Sequence, residues 1–180
     1  MLIRSAKDSD FDAIAKLTNY FIRETVIHFG ATEASGDELR DQWHQSRDRY
    51  PFLVCEIDSR FAGYCKAYAW RSREAYQWTP ECGIYVEDWA QRRGIARALY
   101  TKLFEVLTAQ GFHSVVAGIA LPNEPSVKLH ESMGFVPAGI VRQSGWKLGR
   151  WNDVGFWQRL LCSSGQAPPP LRPPLLDSMP

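Results

Sequence analysis

Past Val86 the chain leaves an apolar run and sets Arg92-Arg93-Gly94 in a row. A long segment with helical apolar spacing, Ile95 to Gln110, follows. A helix that starts here offers its unpaired first-turn N–H groups and about half a positive charge to whatever lies beyond it. Gly94 allows a tight turn and close approach of a ligand, and Ala96 keeps the same surface open. Arg92 and Arg93 supply charge-assisted contacts. The chemistry this suits is the seating of a phosphate or diphosphate; the alternative is an ordinary helix start with solvated arginines. Neither GxxxxGK[ST] nor a strand-bound GxGxxG occurs, so the common nucleotide loops do not explain it.

Proton-transfer groups are fewer. Glu81 opens an otherwise apolar run, Glu81–Val86, beside an aromatic connector. Partial burial there raises a carboxyl pKa and makes a better base; the competing reading is a rim carboxylate in an edge salt bridge. His130 lies in a short amphipathic helix, where an imidazole either packs or moves protons near neutrality. Tyr100, about a turn beyond the phosphate seat, is either a proton donor or a core ring. His28 and His44 have neither an HExxH context nor cysteine partners, so no metal site is expected.

The elements that must position these groups follow from periodicity. Leu2–Ala6 reads as a strand, with Ser5 and Asp8 as an approximate cap for a helix carrying Phe11, Ile14, Leu17, Phe21 and Ile22. A loop (Thr25–Gly36) leads to a second helix, Asp37–Tyr50, stopped by Pro51. Two strand runs then form a hairpin about Asp58-Ser59-Arg60. The connector Arg71–Pro80, the Glu81 strand, the long helix, the strand His113–Ala120, a short helix and two last strands complete a β-αα-βββ-α-β-α-ββ order. That order predicts an α/β (α+β) fold with a mixed sheet flanked by helices.

At 180 residues the chain suits one domain, residues 1–161. Residues 162–180 hold six of the eleven prolines and read as an extended, mostly unpacked tail. A formal charge of +1 gives no basic field for nucleic acid, and no apolar window approaches membrane-spanning length. With no leader-like N-terminus and four scattered cysteines, the expectation is a soluble, cytoplasmic protein with reduced thiols. Seven tryptophans suggest a Trp-rich core, with some aromatic rings lining a pocket instead.

Strand–Gln91-Arg92-Arg93-Gly94-Ile95-Ala96–helix resembles the acyl-coenzyme-A signature of the GNAT N-acetyltransferase superfamily. Asn123–Phe135, "NEPSVKLHESMGF", resembles its second motif, with His130 where most members carry Tyr. "AYQWTPE" and "GWKLGRWNDVGFWQ" narrow the resemblance to the phosphinothricin N-acetyltransferase family within it, whose relatives also take methionine sulfone or sulfoximine. The resemblance implies a mostly antiparallel GNAT sheet, acetyl-CoA as acyl donor, a small anionic amino-acid substrate and a homodimer. It implies that backbone groups of Ile84, Tyr85 and Val86 pair with the pantetheine arm and polarise the thioester. Residues Arg92, Arg93, Gly94, Ile95, Ala96 and Arg97 would hold the diphosphate, with Asn123 and Ser126 on the coenzyme side. Glu81 becomes the base, and His130 or Tyr100 the proton source for the leaving thiolate. Arg71 and Arg73, two apart in the connector, offer bidentate partners to a carboxylate or phosphinate, with Phe29 and Tyr76 as pocket walls. A non-catalytic acyl-CoA sensor is the rival reading from another class.

Overall fold

Apolar runs in the middle strands bury both faces of one sheet, and helices pack on each face. The computed structural model describes residues 1–163 and 167–175. In chain order the elements are β1 (Leu2–Ser5), α1 (Phe11–Glu24), α2 (Gly36–Ser46), β2 (Phe52–Ile57), β3 (Arg60–Ala69), β4 (Pro80–Val86), α3 (Ile95–Gln110), β5 (Ser114–Leu121), α4 (Glu124–Ser132), β6 (Val136–Lys147) and β7 (Arg150–Leu160). The sheet order is β1-β2-β3-β4-β5-β7-β6. Every neighbouring pair is antiparallel except β4–β5, which is parallel and aligned at a single register position, Glu81 against Val116.

Period-two alternation sorts the core into two layers. Cys65, Ala67 and Cys82 face α3, against Leu99, Tyr100, Leu103 and Phe104. Tyr64 faces the other way, joining Phe11, Ile14, Leu17 and Phe21 of α1. The Tyr64 hydroxyl lies 2.7 Å from Thr18 Oγ1, so its one polar atom is satisfied inside that layer.

Local expectations hold except where a side chain is used otherwise. Ser5 belongs to β1 and caps nothing; instead the Lys7 N–H donates to Asp10 Oδ2 at 2.7 Å, ahead of α1. Helix α2 starts one residue before the predicted position and ends at Ser46, because Ser35 and Glu38 form a reciprocal capping box and Ser46 Oγ turns back onto the Gln42 carbonyl. Asp58 and Ser59 both take positive φ, the pattern of a two-residue hairpin turn.

Two expectations are corrected. The core is not built from tryptophan: of seven, only Trp157 is buried, while Trp146 and Trp151 are 63% and 56% exposed on the outer hairpin. Aliphatic residues and Phe or Tyr fill the interior, while the other Trp rings are half-buried or exposed at the layer edges. The tail, at its described residues 167–175, is extended but not unpacked. Pro169 carbonyl accepts from Trp78 Nε1 at 3.0 Å, and the Arg172 amide and carbonyl pair with the Gln110 carbonyl and side-chain amide, each at 2.9 Å. Leu171 packs against the α3 layer. The remaining tail positions, 164–166 and 176–180, lie outside the described residues.

Candidate active site

Because β4 and β5 meet at one position and then diverge, the sheet opens beyond Glu81. A cavity of about 660 Å³ occupies the opening. Its lining comes from both faces of the sheet: Tyr100, Ser126 and His130 from the α3–α4 side, and Lys66, Tyr68 and Glu81 from the α1–α2 side. Strands that part in this way leave backbone N–H and C=O groups on their facing edges without ladder partners, which suits an extended ligand laid between them. Ile84 and Tyr85 line the cavity; Val86 does not, its side chain packing against the α3 layer. The Tyr85 ring is held by Phe21 and Tyr64, both at 5.1 Å between centroids, and its backbone is spent on β3. The Glu87 N–H donates to the Ala62 carbonyl directly opposite, so along this ladder the groups of Ile84 and Val86 are the ones turned to the gap.

Glu81 stands across the ladder from Tyr68 and beside Gly118, where an added Cβ would come within 3.0 Å of its Oε1. Burial raises its pKa above the usual carboxylate range, partly offset by Tyr68, Arg71 and the Gly118 backbone. A carboxylate held this way is a stronger base than one at the surface.

On the other face His130 is 3% exposed and Tyr100 fully buried. His130 Nδ1 lies 2.7 Å from the Ser126 carbonyl, which can only accept, so Nδ1 carries the hydrogen. Burial lowers the His130 pKa, so the ring is neutral at pH 7 and Nε2 is left as an acceptor. Nε2 then accepts from the Tyr100 hydroxyl at 2.9 Å, and that hydroxyl receives the Cys82 thiol at 3.7 Å. His130 and Tyr100 are therefore one hydrogen-bonded unit.

Beyond Val86 a single 3₁₀ turn, Asp88–Ala90, leads into α3. Arg92 (φ 59°) and Gly94 (φ 78°) both occupy the left-handed region, and space around the Gly94 Cα is open to 4 Å. Arg92 and Arg93 are exposed, the latter 6.0 Å from the Trp89 ring centroid. The Ile95 side chain is buried in the core, so only its amide belongs to the turn. Arg97 is committed to α4, donating to Ser132 Oγ at 2.9 Å. Asn123 and Ser126 line the cavity; the Asn123 side-chain oxygen caps α4 by accepting from the Ser126 amide at 3.2 Å, which leaves its amide hydrogens for a ligand.

The acceptor-side residues divide. Phe29 and Arg71 line the cavity; Arg73 and Tyr76 are exposed outside it, Tyr76 edge-on to Trp70 at 5.4 Å. Sequence reasoning missed Lys66 and Tyr68. Their signal was the alternation Tyr64-x-Lys66-x-Tyr68, which puts a lysine on the inward face of a strand between two aromatics. Among the described residues no three His, Cys, Asp or Glu side chains gather as a metal site would need, and no helix is long and apolar enough to cross a membrane.

A parting parallel pair, a glycine-opened helix start after β4 and a buried carboxylate are the features of an acyltransferase built to take an acyl-CoA. Residues 3–155 match the acetyltransferase (GNAT) domain model, and the chain belongs to that family. It is an acetyltransferase with the GNAT fold. It is 42% identical over 171 residues to the phosphinothricin N-acetyltransferase of Streptomyces viridochromogenes, covering 95% of this chain and 91% of that one. The L-methionine sulfoximine/L-methionine sulfone acetyltransferase of Salmonella typhimurium is 34% identical, over 88% and 93% of the two chains. A Salmonella typhimurium protein solved as an acetyltransferase with its cofactor acetyl-CoA superposes with a TM-score of 0.88 at 32% identity, covering 93% of this chain and 97% of that one.

Proposed function

We propose that the protein transfers the acetyl group of acetyl-CoA to the α-amino group of L-phosphinothricin or a similar small anionic amino acid, directly and within a ternary complex. The observation that carries this reading is the gap between β4 and β5, with Glu81 at its closed end and Tyr100–His130 on its far wall. The first-turn amides of α3 with Arg92, Arg93, Gly94, Ile95 and Ala96 would seat the diphosphate, Arg97 bracing the turn against α4. The edge of Ile84 and Val86 would take the pantetheine arm, an N–H near Val86 polarising the thioester carbonyl. Asn123 and Ser126 would bond the coenzyme from α4.

In this scheme the amine nitrogen attacks the thioester carbon and gives its proton to Glu81, directly or through a water. The carbon–sulfur bond breaks, and the thiolate takes the Tyr100 proton as that hydroxyl turns from His130 Nε2 toward the sulfur. Direct transfer suits the buried thiols: burial pushes Cys82 up to about 12 and Cys65 well above the usual thiol range, so neither is a ready nucleophile. Arg71 and Phe29, which line the cavity, would bound the amino-acid site. A homodimer through β6–β7 fits the exposed Val136, Ile140, Trp146 and Trp151. Three buried free cysteines suit the reducing cytoplasm.

A thiol-release assay with acetyl-CoA and an amino-acid panel tests the reading. Turnover of phosphinothricin above the neutral amino acids supports it. Coenzyme binding without turnover of any amine would overturn it in favour of a sensor. The relatedness to the Salmonella sulfoximine/sulfone enzyme favours a second reading, in which methionine sulfone is the better substrate.

A further inference from the structure

Lys66 lines two cavities at once. Besides the one at the strand gap it borders a second, of about 310 Å³, between β3 and helices α1 and α2; the two also share His28, Gly30 and Tyr68. The second cavity is walled largely by Ile14, Ile22, Trp43, Phe52 and Tyr64, and no acidic side chain lines it. Glu81 is the one carboxylate lining the first.

The groups around the ammonium are accounted for, and none neutralises it. The Phe52 and Tyr68 rings lie 5.7 Å from Nζ. The His28 imidazole is pushed down to about 4, by burial first and then by Lys66 and Lys147, so it is uncharged at pH 7. Lys147 is itself cationic and donates to the His28 carbonyl. Among the described residues Lys66 forms no salt bridge and no side-chain hydrogen bond. A secluded ammonium with no counter-ion is costly, and a lysine kept only for packing would reach for water or a carboxylate.

Register fixes where this cation stands. Lys66 is opposite Gly83 and Tyr68 is opposite Glu81, so Lys66 sits two residues, about 7 Å, along the sheet from the pair that carries the base. Gly83 places no side chain on that face between Glu81 and Tyr85, so the floor there is backbone flanked by the Tyr85 and Tyr68 rings, 3.7 and 3.8 Å from where a Cβ would stand. That span suits an α-amine near Glu81 and a chain of three or four bonds, about 4–6 Å long, running toward Lys66. Arg71, at the rim beside Glu81, remains for the α-carboxylate.

We propose that Lys66 is the counter-ion for the acceptor's distal group, so that the enzyme selects α-amino acids whose side chain ends in a phosphinate or carboxylate two or three carbons from Cα. The inference rests on the acetyltransferase reading above and adds the residue that decides the acceptor class. It also separates the two substrate readings, because a sulfone is a tetrahedral oxo group without the charge.

The test compares kcat/KM for phosphinothricin and methionine sulfone in wild type, Lys66→Met and Lys66→Arg, with acetyl-CoA affinity and Tm measured on each. Losing a charge-assisted contact predicts a 10- to 100-fold drop for phosphinothricin in Lys66→Met, mostly in KM. Methionine sulfone should stay within about threefold, coenzyme affinity should hold, Tm should not fall, and Lys66→Arg should retain the preference. Lys66→Gln carries the same comparison should the methionine variant not fold. An unchanged ratio of the two substrates in Lys66→Met or Lys66→Gln would overturn the assignment. So would a wild type that prefers the sulfone, although the acetyltransferase reading would then stand. Absence of turnover with every amine would overturn both.

Discussion

The hydroxyl of Tyr100 stands 2.9 Å from Nε2 of His130, with both side chains buried on the wall of the cavity. The pair comes from different helices, α3 and α4, which also meet where Arg97 donates to Ser132 Oγ. Because the Ser126 carbonyl fixes the hydrogen on Nδ1, His130 in its resting state orients a donor and is not itself the donor toward Tyr100. Tyr100→Phe should therefore lower kcat by about 10²-fold, the low end of general acid–base contributions. His130→Gln should cost a similar factor, and the double variant little more than either single, since the two act as a unit. Steady-state thiol release measures all three; additive losses would mean that the residues act separately.

Glu81 carries opposite expectations for rate and for stability. As the base, its replacement by Gln should reduce kcat about 10²–10⁴-fold with little change in acetyl-CoA affinity. Its raised pKa means that the folded state disfavours the charged form. The folded protein holds this proton more tightly than the unfolded chain, so the group costs stability as pH rises from the unfolded carboxyl pKa through the folded one. Glu81→Gln should then melt at the same or a slightly higher temperature at pH 7, which a thermal scan reads directly. A large fall in Tm would make Glu81 a structural partner instead of a base.

The same shift fixes the pH profile. Activity requires ionised Glu81, so kcat/KM should rise through one ionisation displaced above the range of a free carboxyl. His130, neutral and lowered by burial, should add no second limb near pH 7. Removing the Glu81 carboxyl should erase the acid limb from whatever activity remains; its persistence in Glu81→Gln would assign the ionisation elsewhere.

What could be read from the sequence is what depends on neighbours along the chain. The strand and helix order follows from local periodicity, and the turn at Gly94 from a residue type that alone takes positive φ without strain. Glu81 was visible because a charge opened an apolar run. The Tyr100–His130 bond was not, since it joins positions thirty residues apart on two different helices. Lys66 was passed over because one lysine in a strand usually points to water; only the register against Gly83 and Glu81 shows that this one faces the cavity. The tryptophans misled for a related reason: Trp146 and Trp151 form the exposed edge of a hairpin that has no layer above it. The prolines of the tail argued correctly for extended backbone, but composition says nothing of where that backbone docks.

At Gly94, substitution by Ala separates conformational strain from ligand binding. A residue with a Cβ at φ 78° costs about 1 kcal/mol, and with nothing within 4 Å no clash is added. For a chain of this size that corresponds to a Tm lower by about 2–4 °C. The coenzyme should lose more, about tenfold in affinity, because the methyl group stands on the surface the diphosphate approaches. Isothermal titration with coenzyme A reads the second effect, and unchanged affinity would place the diphosphate elsewhere.

The tail supplies the last expectation. Trp78, two residues before β4, is tied through Nε1 to the Pro169 carbonyl, and Gln110 at the end of α3 pairs with Arg172. Gly111, left-handed at φ 94°, would place an added Cβ 3.3 Å from Pro169, so the tail crosses close over the helix end. These contacts join the connector that bears Arg71 to the helix that bears Tyr100. Among the described residues, deleting 164–180 removes three hydrogen bonds and the packing of Leu171. Each bond contributes about 1 kcal/mol net, and the entropy of ordering the segment offsets part of that. A loss of about 2 kcal/mol, or about 4–8 °C in Tm, is expected. Trp78→Phe, which removes a single bond, should cost about a third as much. If the deletion left Tm unchanged, the tail would be resting on the domain without bracing it, and the Trp78 carbonyl, which accepts from the His113 amide at 2.9 Å just past α3, would carry the link between connector and helix.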